Sequence, residues 1–201
     1  REQIEAVAMD MNSAFDLEVK DQCPNAEVVY DRFHVVAKYG REVMDRVRVD
    51  QANQLRDDKA ARKVIKGSRW LLLRNADNLK PEQAVKLEEL LTANASLTTA
   101  YLLKDQLKTL WFADDEATAR SAWQEWYDMA MGSGIVALAR FAKRLAPYLE
   151  GILSSARHRL NTSVMEGMNN RIKVIKRMAY GYRDTAYFFL KIRAAFPGKV
   201  R

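Results

Sequence analysis

Apolar and polar positions follow two different rhythms along this chain. Ile4 to Met9 (IEAVAM) is a short apolar run closed by Asp10, and its length and content predict a buried strand. Asn12 to Lys20 (NSAFDLEVK) reads as a helix, Cys23-Pro24-Asn25 as a turn, and Ala26 to Tyr30 (AEVVY) as a second strand. Strand, helix and strand in about 30 residues form a βαβ unit, which predicts a parallel pair with a right-handed crossover. Open α/β sheets place their sites outside the carboxyl ends of their strands, and Asp10 occupies that place on the first one.

Beyond Phe33 the strand rhythm stops. Helices are predicted over 33–65, 81–93, 96–112, 115–130, 134–156, 163–178 and 184–195. Pro81 suits a first helical turn and Asp114 an N-cap. Pro147 is expected to kink or divide the 134–156 segment. Trp111, Trp123 and Trp126 are expected in the core rather than on a base-stacking surface, because aromatic side chains mostly bury. The predicted fold class is thus an α/β core interrupted by a large all-α insertion, mostly helical overall. Its parts are a partial core over 1–40, helices over 41–158, and terminal core helices over 159–201.

The 201 residues suffice for one large or two small domains with a real core, and 48% hydrophobic content excludes wholesale disorder. A net charge of +7 favours an anionic partner. A single cysteine, Cys23, excludes an internal disulfide and fits a reducing, cytoplasmic compartment. No apolar run approaches the ~18 residues of a membrane span. The chain opens on Arg1 rather than Met and is expected to be a fragment lacking upstream sequence.

Four places carry candidate chemistry. Asp10 could ligate Mg²⁺, which prefers carboxylate oxygens, or could simply cap the helix that follows. Asp31 and His34, three apart at a helix start, share a face. They could support a neighbouring site, or be a helix cap beside a partly buried histidine. Glu166 leads a helix whose next cations, Arg171, Lys173, Lys176 and Arg177, have no acid to balance them before Asp184. At ~3.6 residues per turn, Glu166, Asn170, Lys173 and Arg177 fall on one stripe, which could hold a metal ion beside phosphates. Against this, Ser163-Val164-Met165-Glu166 also matches a capping box, and a charge run is usually a solvated face. Finally, Gly181 suits a left-handed helix cap. Tyr180, Tyr182 and Arg183 around it could contact a sugar-phosphate chain or pack between the last two helices. One cysteine and two histidines argue against a dedicated zinc site.

Three stretches occur together and in order in one family. VAMDMNSAF (7–15), CPNAEVVYDRFHVV (23–36) and NTSVMEGMNNRIKVIKRMAYGYR (161–183) resemble the DDE transposases of bacterial insertion sequences, most closely the ISL-three family. Together they cover under a quarter of the chain, and the third is the most specific. The resemblance implies a ribonuclease-H-like core with a helical insertion before its last catalytic helix. It implies Mg²⁺ or Mn²⁺ in the complete enzyme, acting on DNA at transposon ends and at the target. By motif position Asp10 looks like the second catalytic, metal-binding acid and Glu166 the third. Asp31 and His34 match the D-x-x-H signature and would support the site. Asn169, Asn170, Arg171, Lys173, Lys176, Arg177, Tyr182 and Arg183 would contact DNA.

The first acid, with zinc-binding and helix-turn-helix modules, would lie upstream of Arg1. The fragment is therefore expected to bind no metal and to be inactive, while the complete enzyme would self-associate. The alternatives are a non-catalytic DNA-binding module from a decayed element, or a helical interaction module with incidental charge.

Overall fold

The computed structural model describes residues 3–160 and 163–197, with side chains omitted for 163–166. Two compact units divide between Leu160 and Asn161. The first begins with β1 (Ala6–Met9), α1 (Ser13–Gln22) and β2 (Glu27–Tyr30). The strands pair in parallel, with Ala6 opposite Glu27 and Met9 opposite Tyr30, as the hydrophobic pattern predicts for a βαβ unit. Both strands are short, and the carboxyl ends of the two finish level.

Among the described residues of this unit eight α-helices follow, α2 (Arg32–Tyr39), α3 (Asp45–Gln54), α4 (Lys59–Gly67), α5 (Arg69–Leu73), α6 (Pro81–Thr92), α7 (Ala95–Thr109), α8 (Glu116–Gly132) and α9 (Val136–Leu145), with α10 (Leu149–His158) closing it as a ninth. The single helix expected over 33–65 is divided. Gly40–Met44 form a wide π turn between α2 and α3, where the Gly40 Cα lies so close to Leu73 that a Cβ would fall 2.8 Å from its Cδ2. The chain then breaks after Leu55, and Asp58 starts α4 by accepting a hydrogen bond from Ala61 N at 2.9 Å. Asp favours such caps because its carboxylate reaches an otherwise unpaired N–H. Asp115, not Asp114, caps α8, accepting from Thr118 N at 2.7 Å. Pro147 does divide its segment: Ala146–Tyr148 form a 3-10 turn between α9 and α10, since proline lacks the N–H that a continuous helix needs.

One buried core runs from Met9 and Tyr30 through the helices to Ile152, so the strand pair and the helical region are packed as one body. Trp123 and Trp126 are buried in it, and the Trp126 indole donates to Leu103 O at 2.9 Å. Trp111 is half-buried. Helix α10 lies directly on β2. A Cβ at Gly151 would sit 2.5 Å from the Tyr30 ring and 3.1 Å from Val28 O, so only a glycine permits this approach.

The second unit contains α11 (Ser163–Met178) and α12 (Thr185–Ala195). Asp184 caps α12, accepting from Tyr187 N at 3.1 Å. Among the described residues of this unit, no side chain is buried.

Candidate functional site

Because Met9 pairs with Tyr30, the residues that follow, Asp10 and Asp31, leave the sheet side by side. The Asp31 N–H still donates to Met9 O at 3.1 Å, which continues the strand pairing one step further. Asp10 does not cap α1. Asn12 does so, accepting from Ala14 N at 2.9 Å, and the Asp10 carboxylate is left half-exposed. Asp31 is buried and caps α2, accepting from Phe33 N at 2.6 Å.

That cap fixes the first turn of α2 and so aims His34 at the strand ends. Its Nδ1 lies 2.8 Å from Asp10 Oδ1 and 3.7 Å from Asp31 Oδ1. The Nδ1 atom is buried and off the line of an ideal hydrogen bond. The ring edge of Phe33 packs on the imidazole with centroids 5.6 Å apart. Asp31 and His34 thus meet as their spacing suggests, but the shorter contact is from His34 to Asp10, which no local spacing reveals.

The helices hold this corner in place through Tyr30. Its carbonyl accepts from the Trp111 indole at 2.9 Å. Its hydroxyl donates to Asp16 Oδ1 at 2.5 Å. Its ring meets that of Tyr148 edge-on, with centroids 5.3 Å apart, above Gly151. Burial foremost, then the Asp16 carboxylate, pushes the Tyr30 phenol well above its usual range, so it remains a neutral donor. One residue past Asp31, the Arg32 guanidinium lies 4.6 Å above the Phe112 ring. Sequence reasoning missed Trp111, Gly151 and Asp16 as supports. A strand-end tyrosine just before an acid was the only local signal.

The opposite end of β2 is also pinned. Glu27 meets Arg157 at 2.8 Å and His158 Nε2 at 3.1 Å. His158 therefore stands at the far end of the strand from His34, and the two histidines serve separate places.

A divalent cation would find an accessible oxygen donor in Asp10, with His34 bracing it. Asp31 is buried and engaged as a cap. Among the described residues no group of three His, Cys, Asp or Glu side chains is placed to hold an ion. The corner therefore presents a single accessible carboxylate, that of Asp10. The Glu166 side chain, and with it the capping-box reading of Ser163–Glu166, lies outside the described residues.

On α11, Asn169, Asn170, Arg171, Lys173, Lys176 and Arg177 are all exposed. The Arg171 guanidinium lies 5.2 Å above the Phe196 ring. The helix ends with Gly181 N donating to Lys176 O at 2.9 Å, at φ +101, the left-handed cap its glycine suggests. Tyr182 stacks on Phe188 with centroids 4.8 Å apart, which gives it a packing partner between the last two helices. Arg183 is exposed. Tyr180 is fully exposed.

Comparison with known proteins fits these motifs. A family model described as a transposase, of the DDE type and ISL-three group, matches residues 1–192. The transposase for insertion sequence element IS1001 of Bordetella parapertussis is 65% identical over 200 residues, covering 100% of this chain and 49% of that protein. The transposase for insertion sequence element IS1557 of Mycobacterium tuberculosis, in two strains, is 26% identical over 83% of this chain and 42% of its own length. The chain thus spans about half the length of the curated relatives it matches. No solved structure matches it. Among the described residues no helix is long and apolar enough to cross a membrane. A family match over nearly the whole chain, together with a relative of this identity, establishes that the chain belongs to the ISL-three family of DDE transposases.

Proposed function

We propose that this chain forms part of the catalytic region of a transposase that cleaves and joins DNA phosphodiester bonds at insertion-sequence ends, on a ribonuclease-H-like core. The observation that carries the reading is the corner at the strand ends, where Asp10 and Asp31 lie side by side and His34 reaches back to Asp10 at 2.8 Å.

In this reading Asp10 and Glu166 hold the divalent cations, Mg²⁺ or Mn²⁺. Such ions, when bound, supply an activated water or 3′-hydroxyl and neutralise charge on the phosphate. The chain's own residues supply position. Asp31 fixes the first turn of α2, that turn fixes His34, and His34 orients the Asp10 carboxylate. Outer partners of this kind hold a ligand in one geometry, and losing them typically costs 10–100-fold in metal affinity or activity. Asn169, Asn170, Arg171, Lys173, Lys176, Arg177 and Arg183 contact the DNA backbone, and each cation that meets a phosphate releases counterions. Tyr182 supports this surface by its stacking on Phe188.

A two-ion site of this class uses three carboxylates, and residues 1–201 offer two by motif. The 201-residue chain alone is accordingly expected to be inactive, and strong Mg²⁺- or Mn²⁺-dependent nuclease activity in it would overturn that expectation. The central test uses a protein extended to the length of its relatives. Asp10→Asn and Glu166→Gln should each abolish strand cleavage while DNA affinity stays or rises, because a negative charge near phosphate is removed. Cleavage surviving either substitution removes that residue from the metal site.

A further inference from the structure

Helix α4 carries a second row of unbalanced cations. Lys59, Arg62, Lys63 and Lys66 stand at i, i+3, i+4 and i+7, which is one face of a helix. Lys59, Lys63 and Lys66 are exposed, and Arg62 is half-buried with its Nε unpartnered. To one side of the row Ile65 turns inward, 6% exposed, while Val64 behind it remains exposed.

Among the described residues no acid forms an ion pair with this row. Like charges at these spacings destabilise a helix by about 0.2–0.5 kcal/mol per pair, so the face is costly to leave unpaired. Elsewhere in the same unit, Lys20 meets Asp16, Arg46 meets Asp50, Lys108 meets Asp105 and Arg120 meets Glu116 and Glu150. Two of the acids nearest α4 are already committed, and Asp57, exposed just before the helix, is paired with none of the four cations. Asp58 caps the helix itself. Asp45 on α3 binds Arg48 and Arg69 at 3.2 and 2.8 Å. Arg48 in turn donates to Lys66 O at 2.8 Å, which fastens the end of α4 without touching its lysine ammonium groups. Glu89 faces the groove on the other side of α4, where Lys86 lies beside it.

We infer that the exposed face of α4 is a second phosphate-contact surface, which takes the sugar-phosphate backbone of duplex DNA. At 1.5 Å rise per residue, Lys59 to Lys66 spans about 10 Å. A DNA strand presents one phosphate per about 3.4 Å of axis, so the row faces about three. Val64 and Trp70 are also exposed, and a membrane surface would use such side chains. A membrane-bound helix, however, needs an open apolar face, and of the two large apolar residues of α4 Ile65 is buried against the core, which leaves Val64 as a single exposed side chain rather than a face. The choice of DNA among polyanions rests on the proposed transposase reading. The surface itself lies on a different element from α11 and is read from different residues.

The test is fluorescence anisotropy of the full 201-residue chain on two unrelated labelled duplexes across a salt series. Lys59→Gln/Lys63→Gln/Lys66→Gln should weaken binding about tenfold on both duplexes and reduce the slope of log K against log salt by about two to three. The corresponding Lys→Arg triple should bind as the parent does. The glutamine triple relieves like-charge repulsion on exposed positions, so its unfolding midpoint should be equal or higher. A separate Lys173→Gln/Arg177→Gln variant probes α11. If the α4 triple leaves affinity and slope unchanged while the α11 variant weakens binding, the α4 surface is refuted and the proposed function stands. Absence of DNA binding by the parent chain refutes both. Tighter binding of the parent to phosphatidylserine vesicles than to DNA, lost in the same triple, refutes the DNA assignment in favour of a membrane.

Discussion

Gly151 and Tyr30 are in contact so close that a Cβ at position 151 would lie 2.5 Å from two carbons of the tyrosine ring. This contact seats α10 on β2, and β2 ends at Asp31. The candidate site is therefore positioned by residues from the far end of the helical region as well as by the strands that bear it.

Gly151→Ala should consequently lower stability. Overpacking a tight contact costs about 1–3 kcal/mol, and the better helix propensity of alanine returns up to about 1 kcal/mol. A net loss of about 1–2 kcal/mol is expected, read as a lower urea midpoint at unchanged slope. A stability equal to that of the parent would mean that the Tyr30 ring swings aside and does not anchor the sheet.

Trp111→Phe removes the donor to Tyr30 O while keeping most of the ring. A buried carbonyl left unpaired costs about 1–3 kcal/mol, and Trp111 is half-buried, so the lower half of that range is expected in denaturant titration. Because this bond adjoins Asp31, the same substitution in a full-length protein should also reduce cleavage. Full activity at reduced stability would confine Trp111 to a packing role.

His34→Ala separates positioning from metal binding. In a full-length protein it should raise the Mn²⁺ concentration for half-maximal cleavage about tenfold, with residual activity at saturating metal, whereas Asp10→Asn should be silent at every concentration. Equal loss in both variants would make His34 more than a support for Asp10.

Much of this was legible in the sequence, for identifiable reasons. The parallel strand pair followed from two apolar runs around a helix, and the break at Pro147 from the chemistry of proline. Asp31 and His34 could be paired because helical spacing is local. The contact of His34 with Asp10 could not, because it depends on strand register, and the hold of Trp111 on Tyr30 spans 81 positions. The helix expected over 33–65 failed at Arg56-Asp57-Asp58, where local capping by Asp58 outweighed an otherwise continuous helical pattern. Lys104 had a signal that passed unread: it occupies a core position in the stripe of Leu97, Ala100, Tyr101 and Leu107 along α7, all of them buried.

That lysine gives the protein an expected pH dependence. Lys104 is 1% exposed. Its ammonium donates to Leu72 O at 2.7 Å and Arg74 O at 3.3 Å and lies 3.9 Å from the centroid of the Tyr101 ring. Burial, the largest influence, pulls its pKa from 10.5 down to about 8; Asp105 raises it and Lys108 lowers it further. Below pH 8 the group is charged in both folded and unfolded chains, and the folded state bears the full cost of burying the charge. Between about 8 and 10.5 the unfolded chain holds more protons than the folded one, so stability rises with pH. Tyr30 and Tyr39 act oppositely higher up. Burial, their largest influence, raises both above 10, so the unfolded chain ionises first and stability falls above that pH. Urea midpoints should therefore climb from pH 8 to about 9.5 and turn down beyond about 10. Lys104→Met should flatten the climb and leave the downturn. A parent curve already flat between pH 8 and 9.5, or a climb that persists in Lys104→Met, would mean that Lys104 does not carry this linkage.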